Sequence, residues 1–332
     1  MRRLAIIGGG SWGTALAVVL SPRFPDVRLW VFEEDLALRM SRTRENDVYL
    51  PGAQLPTHVI VTSDLATALD GAEIVLSVMP SHLARALYTR MLPFLNDSMV
   101  FVSATKGLEN GTLLRISEVI QQVLQTAFEP RVAVISGPTF AREVACFEPT
   151  ALVVASCDET LPPAIQAAFS GPTFRLYTST DPIGVEIGGS IKNVVAIGSG
   201  VLNGMGLGHN ATAALITRGL AEMNRLALAM GGRPQTLAGL AGLGDLVLTC
   251  TGDLSRNRAV GAALAHGRKF DEIVSSMKMV AEGIKTTNAA VDLANRYQVE
   301  MPISEQMYQM LHYNLSPRDA IQRLMERSLK GE

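Results

Sequence analysis

What this sequence lacks narrows its chemistry before any motif is read. Its three cysteines, Cys146, Cys157 and Cys250, form no close pair and have no histidine companions at metal-ligand spacing. That argues against a disulfide framework and against a zinc site, and it fits a reducing compartment. There is no long run of one charge sign, and the formal net charge is only -2. Bulk charge therefore offers nothing to nucleic acid or to an anionic membrane surface. Repeats and low-complexity tracts are also missing. Arg2 and Arg3 ahead of an apolar stretch to Leu20 have the outline of a secretion signal. Gly8, Gly9, Gly10, Ser11 and Gly13 interrupt its core, however, and no small-residue cleavage site precedes Pro22. No other run is long and polar-free enough to span a bilayer. A soluble, cytoplasmic protein is expected, with no metal, no nucleic-acid partner and no membrane insertion.

What is present is a chain of 332 residues, 48% hydrophobic, long enough for two domains with sizeable cores. Its first half alternates strand and helix patterns. Leu4-Ala5-Ile6-Ile7 reads as a short buried parallel strand. In the stretch that follows, Gly8, Gly10 and Gly13 fill the G-x-G-x-x-G pattern, and residues 14–20 are helical. Strand, glycine turn and helix in that order suit a dinucleotide pyrophosphate, which binds N–H groups at the helix start and needs close backbone approach. The competing reading is a plain glycine turn.

Val27 to Phe32 reads as the second strand, ending at Glu33-Glu34-Asp35. An acidic residue there favours the ribose 2'-hydroxyl of NAD, and an arginine favours the 2'-phosphate of NADP. Arg39, Arg42 and Arg44 follow, so both cofactors stay open. Acidic residues at a helix start also serve simply as dipole partners. Further strands are read at 59–61, 73–78, 99–103, 132–135, 151–155 and 173–177, about eight in all. Residues 1–180 are thus expected to be a Rossmann-type α/β domain with a mostly parallel sheet. Ligands in such sheets sit beyond the carboxyl ends of the strands, which makes each post-strand turn a candidate wall. Lys106 is the only charged residue of its turn. Ser136-Gly137-Pro138-Thr139 opens a helix, where Thr139 is a natural cap.

From 181 to 332 the pattern is helical throughout, as an all-α substrate-binding domain would be. The apolar stretch 187–198 carries a single lysine, Lys192. Gly188, Lys192 and Ala196 share a helical face, which leaves space beside the amine. Burial disfavours the charged form of a lysine, and a neutral amine is a general base. The plainer reading is a lysine that snorkels to water. Gly239 to Gly244 reads as a glycine-dense loop ending in Asp245, a carboxylate in apolar surroundings that wants a cationic partner, with Lys192 the obvious candidate. Ser255 is a good N-cap, and Arg256 the first residue of its helix, which makes an anion site. The competing reading for Arg256 and Arg258 is a solvated helix face. Residues 282–297, 302–313 and 316–329 read as closing amphipathic helices, with Pro302 and Pro317 near two of their starts.

Taken together, the segments Gly8-Gly9-Gly10-Ser11-Trp12-Gly13-Thr14-Ala15, Ala104-Thr105-Lys106-Gly107, Ile135-Ser136-Gly137-Pro138-Thr139-Phe140-Ala141, Lys192-Asn193-Val194, Gly242-Leu243-Gly244-Asp245-Leu246, Cys250-Thr251 and Ser255-Arg256-Asn257-Arg258 resemble the soluble NAD(P)-dependent glycerol-3-phosphate dehydrogenase family. They span nearly the whole chain in order. The resemblance implies interconversion of sn-glycerol 3-phosphate, a phosphorylated three-carbon substrate, with dihydroxyacetone phosphate, using NAD or NADP and supplying glycerol 3-phosphate for phospholipid synthesis. It implies Lys192 as the catalytic residue. Substrate contacts fall on Lys106, Gly137, Thr139, Lys192, Asp245, Ser255, Arg256 and Asn257. Cofactor contacts fall on Gly8, Gly10, Ser11, Trp12, Gly13, Phe32, Lys106, Ala141, Arg256, Val280 and Glu282. Many bacterial members have histidine or arginine where this chain has Phe32, and the run Trp30-Val31-Phe32-Glu33-Glu34 is more like NAD-using eukaryotic relatives. The apolar helices suit a homodimer. Two rival functions remain: a two-domain β-hydroxyacid or ketoacid reductase, and a nucleotide-sensing protein without turnover.

Overall fold

The computed structural model describes residues 2–277, 281–329 and 331. The chain begins with strand β1 (Arg3–Ile7), helix α1 (Ser11–Leu20), β2 (Asp26–Trp30) and α2 (Glu34–Thr43). A short antiparallel hairpin, β3 (Glu45–Asn46) and β4 (Leu50–Gln54), comes next, and its strands pair only with each other. Then follow β5 (Val59–Thr62), α3 (Leu65–Leu69), β6 (Ile74–Ser77), α4 (Ala84–Met91), β7 (Val100–Ser103), α5 (Ile116–Leu124) and β8 (Arg131–Ser136). The first half closes with α6 (Ala141–Ala145), β9 (Thr150–Ala155), α7 (Leu161–Phe169) and β10 (Phe174–Ser179).

The main sheet has eight strands in the order β10-β9-β8-β7-β6-β1-β2-β5. All neighbours are parallel except β8 and β9. Strands buried on both faces read as continuous apolar runs, and β1 shows why. Leu4 and Ile6 join the core formed with α1, α2 and α7, whereas Ala5 and Ile7 join the core formed with α3, α4 and α5. The strand order reverses between β1 and β6, so their carboxyl ends flank the switch point of a doubly wound sheet, where ligands of such folds bind.

The second half is helical: α8 (Pro182–Gly204), α9 (His209–Ala229), α10 (Pro234–Leu237), α11 (Asp245–Thr251), α12 (Arg256–Ala265), α13 (Phe270–Ser276), α14 (Glu282–Tyr297), α15 (Pro302–Tyr313) and α16 (Pro317–Met325). Its axis is α8. Ile187, Ile191, Val194, Val195 and Ile197 pack with Met223 and Leu226 of α9, Leu246 of α11, Leu293 of α14 and Met307 of α15. With neighbours on every side, α8 is apolar all round, the pattern of an interior helix. It is also long and apolar enough to cross a membrane, contrary to the reading of the sequence that no such run exists. Its apolar window is wholly buried inside the fold.

Three local differences from the sequence reading have simple causes. Helix α1 begins at Ser11 rather than Thr14, because the glycine turn is tighter than the apolar pattern indicates. The hairpin β3–β4 is too short to show a periodicity. The expected loop over 239–244 is a π-helical turn, Leu240–Gly244, closed by a Gly244 N–H to Gly239 O bond of 3.1 Å and running directly into α11. Its glycines support this: a Cβ on Gly242 would collide with the Leu237 backbone.

Glycine also sets how closely α12 lies on α8. A Cβ on Gly200 would strike the Arg258 carbonyl, and one on Gly261 would strike the Ile197 carbonyl. That approach brings the start of α12 beside the middle of α8. Gly261→Ala is expected to force the helices apart at a cost of about 1–3 kcal/mol. Thermal unfolding checks this: Tm falls by several degrees, and an unchanged Tm would mean that the α8–α12 contact is compliant.

Candidate active site

The turns at the carboxyl ends of β6, β7 and β8 face the helices of the second half, and many of the residues singled out in the sequence meet there. At the β1 turn, Gly8 has φ of +130°, which favours glycine. A Cβ on Gly8 would run into the Val78 carbonyl after β6, and one on Gly13 would run into the Gly8 carbonyl. A Cβ on Gly10, in contrast, would meet nothing within 4 Å. Gly10 is the N-cap of α1 and gives the helix no side-chain cap. Two glycines therefore make the turn tight, and the third leaves the N–H groups of Ser11, Trp12 and Gly13 approachable. These residues fit a dinucleotide pyrophosphate.

Asn46 of β3 braces this turn. Its Nδ2 donates to Gly9 O (2.7 Å) and to Thr14 Oγ1 (2.8 Å), and its Oδ1 accepts from the Tyr49 N–H (2.9 Å). The Tyr49 hydroxyl donates to Glu33 Oε1 at 2.7 Å. Phe32, beside that glutamate, is 68% exposed and edge-on to Trp30. Ala141 opens α6, which packs along α1.

The chemical centre is a carboxylate shared by two lysines. Asp245 is only 1% exposed. Its Oδ1 accepts from Lys192 Nζ at 2.6 Å, and its Oδ2 accepts from Lys106 Nζ at 2.7 Å. Lys192 also donates to Thr249 Oγ1 at 2.7 Å, and Thr249 donates onward to Asp245 O at 2.6 Å. Lys106 also donates to Gly137 O (3.0 Å) and to Thr139 Oγ1 (3.3 Å). An ammonium has three donors. Those of Lys106 are all engaged, whereas Lys192 has two acceptors among the described residues and one position left there. Burial lowers the Lys192 pKa from the ordinary lysine value to about 8; Asp245 opposes that shift and the Lys106 charge adds to it. The snorkelling alternative is excluded by the buried amine. Cys250, on the same helix as Asp245, is pushed up to about 12 by burial and is not a thiolate nucleophile.

A second cluster adjoins the first through Asn193. Asn193 Oδ1 accepts from Asn257 Nδ2 at 2.9 Å, and Asn257 Oδ1 accepts from the Gly283 N–H at 3.0 Å. Ser255 is the N-cap of α12, and its Oγ accepts from the Arg258 N–H at 3.2 Å. Arg256 and Asn257 occupy the first helical positions, whose N–H groups have no intrahelical acceptor. The Arg256 side chain is exposed, and Glu282 is the carboxylate that acts on it electrostatically. Glu282, at the start of α14, accepts from Ser81 Oγ at 3.1 Å beyond β6. Burial raises its pKa.

The structure thus brings Lys106, Gly137, Thr139, Lys192 and Asp245 into one network and sets Ser255, Arg256 and Asn257 beside it. Gly8, Gly10, Ser11, Trp12 and Gly13 form the separate turn at β1. Val280 lies outside the described residues. Two expectations are corrected. Thr139 is not a helix cap, because α6 starts at Ala141 after Phe140 and has no side-chain cap; its hydroxyl instead accepts from Lys106. The space expected beside Lys192 at Gly188 is filled, since a Cβ there would meet the Ala241 carbonyl at 2.5 Å. Close packing explains that glycine. Thr249, Asn193, Asn46 and Tyr49 were missed in the sequence. Only Thr249 had a usable signal: it stands four residues after Asp245, on the same face once 245–251 is known to be helical.

Comparison with known proteins places these features in a family. The model described as NAD-dependent glycerol-3-phosphate dehydrogenase N-terminus matches residues 3–161, and its C-terminus counterpart matches residues 181–322. The chain is 57% identical over 329 residues to a glycerol-3-phosphate dehydrogenase (NAD(P)+) of Koribacter versatilis, covering 98% of both chains. It is 52% identical over 330 residues to the protein of that name from Citrifermentans bemidjiense, covering 99% of this chain and 98% of the other. A crystal structure of glycerol-3-phosphate dehydrogenase from Coxiella burnetii superposes with a TM-score of 0.94 at 42% identity, covering 98% of this chain and 99% of that one.

The lysine network gives a direct test of its electrostatics. Lys192 is expected to titrate near 8 in an NMR titration of its side chain. Asp245 is the group that raises it, so Asp245→Asn should move the midpoint lower still. A midpoint near the ordinary lysine value, about 10.4, in the unsubstituted protein would refute the burial argument.

Proposed function

The chain belongs to the NAD-dependent glycerol-3-phosphate dehydrogenase family, and from that premise we propose how its residues divide the reaction. It interconverts sn-glycerol 3-phosphate and dihydroxyacetone phosphate with NAD(P), supplying glycerol 3-phosphate for phospholipid synthesis. The observation that carries the residue assignment is the buried Lys192, held near neutrality and tied to Asp245 and Thr249 with one position to spare.

Residues 1–180 supply most of the dinucleotide site and residues 181–332 most of the substrate site. Gly8, Gly10, Ser11, Trp12 and Gly13 cradle the pyrophosphate. Phe32 offers its exposed ring to the adenine. Ala141 and Glu282 complete the cofactor wall, together with Lys106 and Arg256. When bound, the nicotinamide supplies the hydride to, or accepts it from, C2 of the substrate. Lys192 handles the accompanying proton. As a neutral amine it donates two N–H groups to Asp245 and Thr249 and turns its lone pair to the substrate hydroxyl. As an ammonium it presents its third N–H to the carbonyl oxygen of dihydroxyacetone phosphate. Asp245 and Thr249 orient it, and Asp245 also keeps two lysine charges compatible in one buried place.

Lys106 acts through its charge, since its donors are already engaged by Asp245, Gly137 and Thr139. It lowers the Lys192 pKa and favours the electron-rich oxygen that develops at C2. Arg256 and the N–H groups at the start of α12 hold the substrate phosphate, and Ser255 and Asn257 set that helix start in place. A β-hydroxyacid or ketoacid reductase is not favoured, because both halves of the chain match the glycerol-3-phosphate dehydrogenase models. A cytoplasmic homodimer is the form in which we expect it to act.

Lys192→Ala is expected to lower kcat by about 10²–10⁴-fold while dinucleotide binding is retained. Near-normal turnover would overturn the assignment. Arg256→Ala should raise KM for dihydroxyacetone phosphate steeply, and a KM that hardly moves would rule out Arg256 as the phosphate clamp. The pH dependence follows from the sign of the Lys192 shift. Glycerol 3-phosphate oxidation needs the neutral amine, so kcat/KM should rise through about pH 8 and then level. Dihydroxyacetone phosphate reduction needs the ammonium and should fall over the same range. Parallel profiles in the two directions would show that Lys192 is not the group that titrates.

A further inference from the structure

We propose that this chain selects the dinucleotide without a 2'-phosphate, and that Tyr49 is the positioning residue for that choice, holding Glu33 at the adenosine ribose. The proposal rests on the dehydrogenase reading above and names the cofactor class which that reading leaves open.

In a doubly wound fold, the group just past the second strand meets the ribose: a carboxylate accepts from a 2'-hydroxyl, and a cation accommodates a 2'-phosphate. Here β2 ends at Trp30, and Glu33 is the N-cap residue of α2. The Glu33 carboxylate is not left to wander, because the Tyr49 hydroxyl donates to its Oε1 at 2.7 Å. Tyr49 is itself fixed through its N–H to Asn46 Oδ1, and the buried Asn46 amide grips Gly9 O in the pyrophosphate turn. One four-residue segment therefore sets the distance between the turn that takes the pyrophosphate and the carboxylate that meets the ribose. The hydrogen bond to Glu33, helped by burial, pushes the Tyr49 phenol up to about 12, so it remains a donor at any physiological pH.

Of the three arginines that left the NADP reading open in the sequence, two are engaged elsewhere and the third is distant along the helix. Arg39 bonds Asp35 at 2.8 Å and Asp47 at 3.4 Å. Arg44 donates to the backbone carbonyls of Leu55 and Pro56, between β4 and β5, and of Val59 at the start of β5. Arg42 sits in the last turn of α2, about 13 Å along the helix axis from Glu33. A 2'-phosphate would therefore meet the carboxylates of Glu33 and Glu34, with Arg39 and Arg44 already engaged elsewhere. Rejection by like charge is the repulsive half of specificity.

The test is the ratio of dissociation constants for NADH and NADPH, read from nicotinamide fluorescence on the full chain. NADH is expected to bind at least about 10-fold tighter. Glu33→Gln should bring the ratio towards unity, and Tyr49→Phe should lower it part of the way while the thermal midpoint stays near that of the unsubstituted protein. A merely structural Tyr49 would weaken both cofactors alike and leave the ratio unmoved, which would overturn its role. Affinities within about two-fold of each other in the unsubstituted protein would overturn the selectivity itself. Dihydroxyacetone phosphate turnover measured on the same preparations separates the two readings. A preserved binding ratio without turnover sinks the dehydrogenase assignment, whereas equal turnover with both cofactors sinks only the selectivity.

Discussion

Asp245 is the constraint on which the rest of the site depends. It is nearly inaccessible, and burying a lone carboxylate is costly. Two lysines approached by different routes are as costly without a counter-charge. The three groups become tolerable together because each oxygen of one carboxylate takes one ammonium. Lys106 comes from the turn after β7 and Lys192 from α8, so the ion network is also a tie between the sheet and the helical half. The arrangement leaves Lys192 less basic than a free lysine, since the attraction of Asp245 does not fully offset burial and the second positive charge.

Holding that network requires α8 to be rigid and hemmed in. Its glycines admit neighbouring protein atoms rather than ligand. The Ala241 carbonyl occupies the space at Gly188, Ser136 Oγ lies at Gly189, and α12 lies against Gly200 and Gly204. Close contact on one side delivers Asp245 and Thr249 from the π-turn and α11. On another side it delivers the start of α12, with Arg256. The Asn193–Asn257–Gly283 chain of hydrogen bonds links α8, α12 and α14 at that level. Buried amides of this kind must be fully paired, which fixes the relative rotation of the three helices.

At the opposite edge of the site, a hairpin too small to have a core of its own does comparable work. Asn46 and Tyr49 reach from it to the glycine turn and to Glu33. The turn carries glycines for steric reasons and has no side chains with which to hold itself, so its shape is secured from outside.

Much of this was legible in the chain. The alternation of apolar runs and glycine turns dictates a parallel sheet with helices, because strands covered on both faces must be apolar throughout. The spacing of Gly8, Gly10 and Gly13 dictates the tight turn, and Ser255 dictates where α12 starts. A lysine in an otherwise apolar helix and a carboxylate in an apolar stretch announce a buried charge pair. Such signals are local, set by periodicity and backbone sterics within a few residues. What only the tertiary structure decided is which distant groups meet. Lys106 and Asp245 are 139 residues apart, and Lys192 and Thr249 are 57 apart. Nothing in local periodicity encodes that Asp245 would serve two lysines, that the face of Gly188 would be filled, or that Tyr49 would seek out Glu33. Those contacts follow from how closely α8 is packed and from where the hairpin lands, and both are settled only when the whole chain has condensed around its cores.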